Sequence, residues 1–152
     1  MPALRRARVL IPLAFGLFFF AGISLLLARG LAGSGTERGD VVDVLRAQAR
    51  GDARAVLALL PACRSEPACA EATERRVAEL RRPGTVEILT YTPSARLALT
   101  RQTGTARVAW RAGASLPVVQ CVRVRREGPL TGGDVELLSL SAPIPREGSC
   151  PP

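Results

Sequence analysis

Cys63, Cys69, Cys121 and Cys150 are the side chains of this sequence whose chemistry is easiest to delimit. Thiols can ligate zinc, act as nucleophiles or pair as disulfides. Zinc usually takes two CxxC-like pairs or a cysteine–histidine set. Here five residues separate the only close pair, and the chain contains no histidine. The same lack leaves a catalytic thiol without its usual base. Disulfides remain, and they imply an oxidising compartment. Of the three possible pairings, Cys63–Cys69 and Cys121–Cys150 are favoured. The first closes CRSEPAC, where Pro67 separates two helical stretches; the second ties the tail PIPREGSC to a strand.

Other catalytic constellations are thin. Glu87 and Glu136 are the carboxylates that could do acid–base work, but each alternates with apolar residues and is expected to face solvent. Hydroxyl nucleophiles would need a base, and lysine is absent along with histidine. Gly132-Gly133 is too short to cradle a phosphate and reads as a turn. No catalytic residue, cofactor site or metal site is expected. Trp110, the only tryptophan, is expected in the core, and Tyr91 at a strand end is expected at a pocket rim or on the surface.

Arginine is the distinctive charge. All 21 basic residues are arginine, against 13 acids, for a net charge of +8. Because lysine and asparagine have AT-rich codons and are both missing, this usage points first to a GC-rich bacterial genome. Arg107, Arg111, Arg123 and Arg125 nevertheless fall on matching alternate positions of two expected strands. Together they would make a cationic face, which like-charge repulsion would leave open to an anionic partner. Acidic lipid head groups, a wall polymer or an envelope protein are the candidates; nucleic acid is not expected outside the cell.

The elements that must position these groups begin with Val9–Ala28, VLIPLAFGLFFFAGISLLLA, twenty residues without a charge. As a helix they would span roughly 30 Å, the thickness of a bilayer's hydrocarbon core. Arg5, Arg6 and Arg8 precede the run, so the N-terminus is expected in the cytoplasm and the rest outside. A cleaved signal peptide is the rival, with Gly30-Leu31-Ala32 as its best cleavage site, although its apolar region would ordinarily be shorter. The expected organisation is a basic N-terminus at 1–8, a transmembrane signal anchor at 9–28, a Gly/Ser-rich linker at 29–39, an extracytoplasmic domain at 40–142 and a disulfide-tethered tail at 143–152.

Within the domain, Asp40 is expected to cap a helix with Val41, Val44, Leu45 and Gln48 at helical spacing. Asp52 caps a second, which Pro61 ends, and Glu66 to Arg82 forms a third. The period then changes to two. Thr85–Tyr91, Ala95–Arg101, Thr105–Arg111, Pro117–Arg126 and Val135–Ser141 read as strands. In the third of these Ala106, Val108 and Trp110 share a face. In the fourth Val118, Gln120, Val122 and Val124 oppose Cys121, Arg123 and Arg125. Helices followed by antiparallel strands make an α+β layout, two to three helices on a curved sheet of about five strands.

Over about residues 40–142 this layout resembles the nuclear transport factor 2-like superfamily, a cystatin-like cone. The resemblance rests on AQARGDARAVLALL at Ala47–Leu60, on GTARVAWR at Gly104–Arg111 and on the final hairpin VVQCVRVRREGPLTGGDVELLSL. It implies helices folded over a bent sheet around an apolar pocket. Enzymatic members carry a His or Asp acid–base residue in that pocket; histidine is missing from this chain, so no such residue is carried over, and the third helix with its own disulfide also departs from the pattern. Membrane-anchored relatives of this kind imply an accessory role in an envelope complex. The expectation is therefore a membrane-tethered, non-catalytic binding or assembly domain. A cone holding a small apolar ligand, and a secreted form, stand as alternatives.

Overall fold

The computed structural model describes residues 2–94, 102–127 and 134–151; side chains are described from residue 15 on, except at 26–27 and 29–34. Four helices precede four strands: α1 Pro2–Arg50, α2 Ala53–Leu59, α3 Pro61–Ser65, α4 Pro67–Glu79, β1 Val86–Thr92, β2 Gln102–Ala112, β3 Val118–Glu127 and β4 Asp134–Leu140. The strands form one antiparallel sheet in the order β1-β2-β3-β4. The α+β layout with helices packed on an antiparallel sheet thus stands, with four strands among the described residues where about five were expected in the chain. The expected strand Ala95–Arg101 lies outside the described residues.

The first helix does not begin at Asp40. It runs unbroken through the stretch read as a linker, Gly30–Gly39, so Asp40 is an interior helical residue and not a cap. Glycine costs about 1 kcal/mol per interior helical position, but the segment contains no proline, and packing overrides a penalty of that size. The buried residues Glu37, Val41, Val44, Leu45 and Gln48 make one stripe at helical spacing, and the stripe begins before Asp40. Partial burial, and secondarily Asp43, raise the Asp40 carboxyl above its ordinary value, the opposite of what a capping carboxylate would experience.

The expected span Val9–Ala28 lies within α1. Among the described residues no helix is long and apolar enough to cross a membrane; the side chains at 9–14, 26 and 27 are outside that set.

The end of α1 is set by local chemistry. Gly51 takes a positive φ of 78°. Its N–H donates to Gln48 O at 2.9 Å and the Asp52 N–H donates to Ala47 O at 3.0 Å. This paired closure ends the helix with a residue that tolerates the left-handed region. Asp52 then caps α2 as expected, its Oδ1 accepting from the Ala55 N–H at 2.9 Å. Pro61 both ends α2 and opens α3, and Pro67 opens α4, because a ring nitrogen is harmless only in a first turn. Cys69, Ala70, Thr73, Val77 and Leu80 turn inward along α4.

The core lies between α1, α2, α4 and one face of the sheet. Ala106, Val108, Trp110 and Ala112 on β2 and Val122 and Val124 on β3 are fully buried. Both disulfides join the expected partners, Cys63–Cys69 and Cys121–Cys150. After β4 the tail continues alongside β3: the Ser141 N–H donates to Cys121 O and the Ile144 N–H to Val119 O, each at 2.8 Å. The tail then reaches the outer face, where Cys150 joins Cys121.

Candidate functional site

The four arginines expected to form a cationic face do project from the face opposite the core, but they are not equivalent. Arg111 pairs with its cross-strand neighbour Glu87, Nη2 to Oε2 at 2.7 Å. Arg125 pairs with its own cross-strand neighbour Glu136, and more loosely with Glu127 at 3.5 Å. Arg107 donates to two tail carbonyls, Gly148 O at 3.2 Å and Arg146 O. Among the described residues Arg123 is the one of the four that is exposed and without a partner. The repulsion that would favour an anionic ligand is relieved internally at three of the four positions. Glu87 and Glu136, the candidate acid–base carboxylates, serve here as counter-ions on the outer face.

Two polar clusters inside the fold were not expected as sites. The first centres on Glu37, whose solvent exposure is 0%. Its Oε1 accepts from Tyr91 Oη and from the Ser94 N–H at 2.9 Å. Its Oε2 accepts from Ser94 Oγ at 2.6 Å and from Arg126 Nη2. Four donors from β1, the residues just after it, and β3 thus converge on one carboxylate of α1. Burial alone would raise the Glu37 pKa; the bonds from Ser94, Tyr91 and Arg126 outweigh it and hold the carboxyl below its ordinary value of 4.5. Burial and the adjacent carboxylate together push the Tyr91 phenol well up, so it stays a donor.

Chain geometry makes room for this cluster. Gly104 on β2 lies so close to Ser94 that a Cβ there would come within 2.6 Å of Ser94 O. Only a glycine lets Ser94 settle against the sheet and reach Glu37. The cluster contains a hydroxyl beside a carboxylate, yet it is poorly suited to nucleophilic chemistry. Both carboxylate oxygens are fully used, a carboxyl held below its usual range is a weak base, and Ser94 is buried. The arrangement joins a helix to a sheet. Tyr91, expected at a rim or on the surface, is one of the joining groups.

The second cluster is Gln48, Trp110 and Gln120, all fully buried. Gln120 Oε1 accepts from Gln48 Nε2 at 2.9 Å and from Trp110 Nε1 at 2.8 Å. Gln120 Nε2 donates to Ser141 O at 2.9 Å. It connects α1, β2, β3 and the start of the tail. Trp110 is core, as its shared face with Val108 leads one to expect.

One signal in the sequence could have found Glu37. Stepping back from Gln48 through Val44 and Val41 at helical spacing lands on Glu37, seven positions before Val44 and eleven before Gln48. The glycines around it hide the stripe. Among the described residues no group of three or more potential metal ligands occurs. Comparison of the chain with protein-family models, with curated proteins and with solved structures found no match.

Proposed function

We propose that the chain is a single-pass envelope protein. Val9–Ala28 crosses the membrane with the N-terminus in the cytoplasm, and the α+β domain is held outside as a non-catalytic binding or assembly module. The continuity of α1 carries this reading. One helix of 49 residues, about 74 Å long at 1.5 Å per residue, holds the apolar run at one end and the buried stripe of the domain at the other. The described part of the run is bare: Phe15, Leu17, Phe18, Phe19 and Phe20 are all at least 69% exposed, Phe18 reaching 83%. A row of exposed phenylalanines is costly in water and suited to lipid. Two disulfides are compatible with an oxidising compartment.

The order of helices before antiparallel strands supports membership of the nuclear transport factor 2-like kind. Within that reading, assembly fits better than ligand capture: Trp110, Gln48 and Gln120 fill the space between α1 and the middle strands. The test is alkaline extraction of membranes, together with mass spectrometry of the N-terminus. Retention in the pellet with residues 1–32 present is expected. A mature chain beginning at Gly33 would overturn the anchor.

A further inference from the structure

We propose that the end of the sheet tied to α1 by Glu37 faces the lipid head groups of the membrane that α1 crosses, and that the Glu37 cluster fixes the domain in that pose. This rests on the reading of Val9–Ala28 as a membrane span.

The argument is one of length and direction. From Ala28 to Glu37 is nine residues of continuous helix, about 14 Å along the axis. The head-group zone on each side of the hydrocarbon is about 5–8 Å thick. The Glu37 level of the domain therefore stands about 6–9 Å above the lipid surface. Everything that Glu37 touches belongs to one end of the sheet: Tyr91 and Ser94 at the end of β1, and Arg126 at the end of β3. Gln102 pairs with Arg126, and Glu127 with Asp134, so the start of β2 and the start of β4 lie at this same end.

The opposite end is fixed as well. The Arg82 N–H donates to Ala49 O at 2.9 Å, next to the end of α1. Gly84 packs against Gly113, so the β2–β3 turn lies at the far end. Leu116 in that turn is 81% exposed. A flexible linker would let the domain tumble and present any face to the bilayer. A helix pinned to the sheet by four hydrogen bonds to a buried carboxylate does not. The partner is the lipid surface itself, engaged because the tether is short and rigid rather than through a charge pattern.

The experiment uses the full chain reconstituted in phosphatidylcholine–phosphatidylglycerol vesicles that carry a head-group acceptor dye. Thr103→Cys and Leu116→Cys chains are each labelled with a donor fluorophore. Thr103 is exposed on β2, nine strand residues from Ala112, which is about 30 Å at the usual strand rise. Energy transfer severalfold higher from position 103 than from 116 is expected. Equal transfer, or higher transfer from 116, overturns the proposal. In Glu37→Ala the difference between positions should shrink; an undiminished difference would remove Glu37 from its positioning role. The comparison in the otherwise native chain stands even where Glu37→Ala does not fold. Alkaline extraction of the same vesicles separates the two readings: a chain released to the supernatant refutes the span, whereas a retained chain with equal transfer refutes only the orientation.

Discussion

Arg107 and Cys121 stand opposite one another on β2 and β3, and both hold the same C-terminal tail. Cys121 does so through the disulfide to Cys150 and Arg107 through the carbonyls of Arg146 and Gly148. Two chemically different fastenings on neighbouring strands hold one short segment. The disulfide shortens the denatured chain's loop across 29 positions of sequence, which chain-entropy reasoning values at about 3.5 kcal/mol. The Arg107 bonds act only while the tail is in place.

That dependence gives a measurable coupling. Cys150→Ser should lower unfolding stability by about 2–4 kcal/mol. Arg107→Ala alone should lower it by about 1 kcal/mol, the scale of hydrogen bonds at a partly exposed site. In the double variant the arginine's contribution should largely vanish, because the tail it held is already loose. Denaturant unfolding of the four proteins, followed by Trp110 fluorescence, closes this cycle. Strict additivity would mean that the tail stays docked without its disulfide.

Glu37 predicts a dependence on pH. Its folded pKa lies below the ordinary value of 4.5 because the bonds from Ser94, Tyr91 and Arg126 outweigh burial. A depressed carboxylate contributes stability that is fully present above the unfolded pKa and lost as pH falls through the folded one. Glu37→Gln should therefore destabilise the chain by about 2 kcal/mol at pH 7, since Arg126 loses its counter-ion in a partly buried setting. The gap between the two proteins should narrow as the pH falls below the ordinary carboxyl value of 4.5 and on through the lower folded pKa, where the native carboxyl becomes protonated. Melting curves at pH 7, 5 and 3 measure it. A gap of constant size across that range would mean that Glu37 is not charged in the folded protein.

The legible parts of this fold were those governed by local rules. Asp52 capping α2, the prolines at 61 and 67 and the alternation of Ala106, Val108 and Trp110 follow from spacing alone, and the structure keeps them. The disulfides followed from the way proline and strand ends bracket the cysteines. Gly30–Gly39 was read by composition as a break, although the buried stripe of α1 passes through it to Glu37. Helix propensity is a weak prior, and the four bonds to the Glu37 carboxylate together with the packing of the stripe outweigh about 1 kcal/mol per glycine. The cationic face was drawn from the alternation of four arginines. Alternation assigns a face but not a partner, and the partners came from register: Glu87 across from Arg111, Glu136 across from Arg125 and the tail over Arg107.

Gln120 is the most connected buried amide of the domain, serving Gln48, Trp110 and Ser141 at once. Gln120→Leu strands the Trp110 N–H and the Gln48 amide in an apolar setting, which should cost about 3 kcal/mol or more, the scale for several buried groups left unsatisfied. Gln48→Leu alone removes fewer bonds and should cost less. The pair Gln48→Leu with Gln120→Leu should recover part of the loss, because one amide no longer lacks its partner. Unfolding monitored by Trp110 emission gives all three values. A double variant less stable than the sum of the singles would show that shape, and not hydrogen bonding, governs this site.

Arg123 and Arg125 separate the two roles an outer-face arginine can have. Arg123 is exposed and makes no ion pair among the described residues, so Arg123→Glu should leave the melting temperature essentially unchanged. Arg125 sits between Glu127 and Glu136, and Arg125→Glu would bring a third carboxylate beside them. A loss of about 1–2 kcal/mol is expected, from the lost pair and the new cross-strand repulsion together. High salt should shrink that loss, since partly exposed charges are screened over about 10 Å at 0.1 M. Binding to phosphatidylglycerol vesicles separates stability from docking in the same pair of proteins. With three of the four arginines engaged internally, neither substitution should change it. A loss of binding from Arg123→Glu alone, at unchanged stability, would mean that this face engages an anionic surface after all.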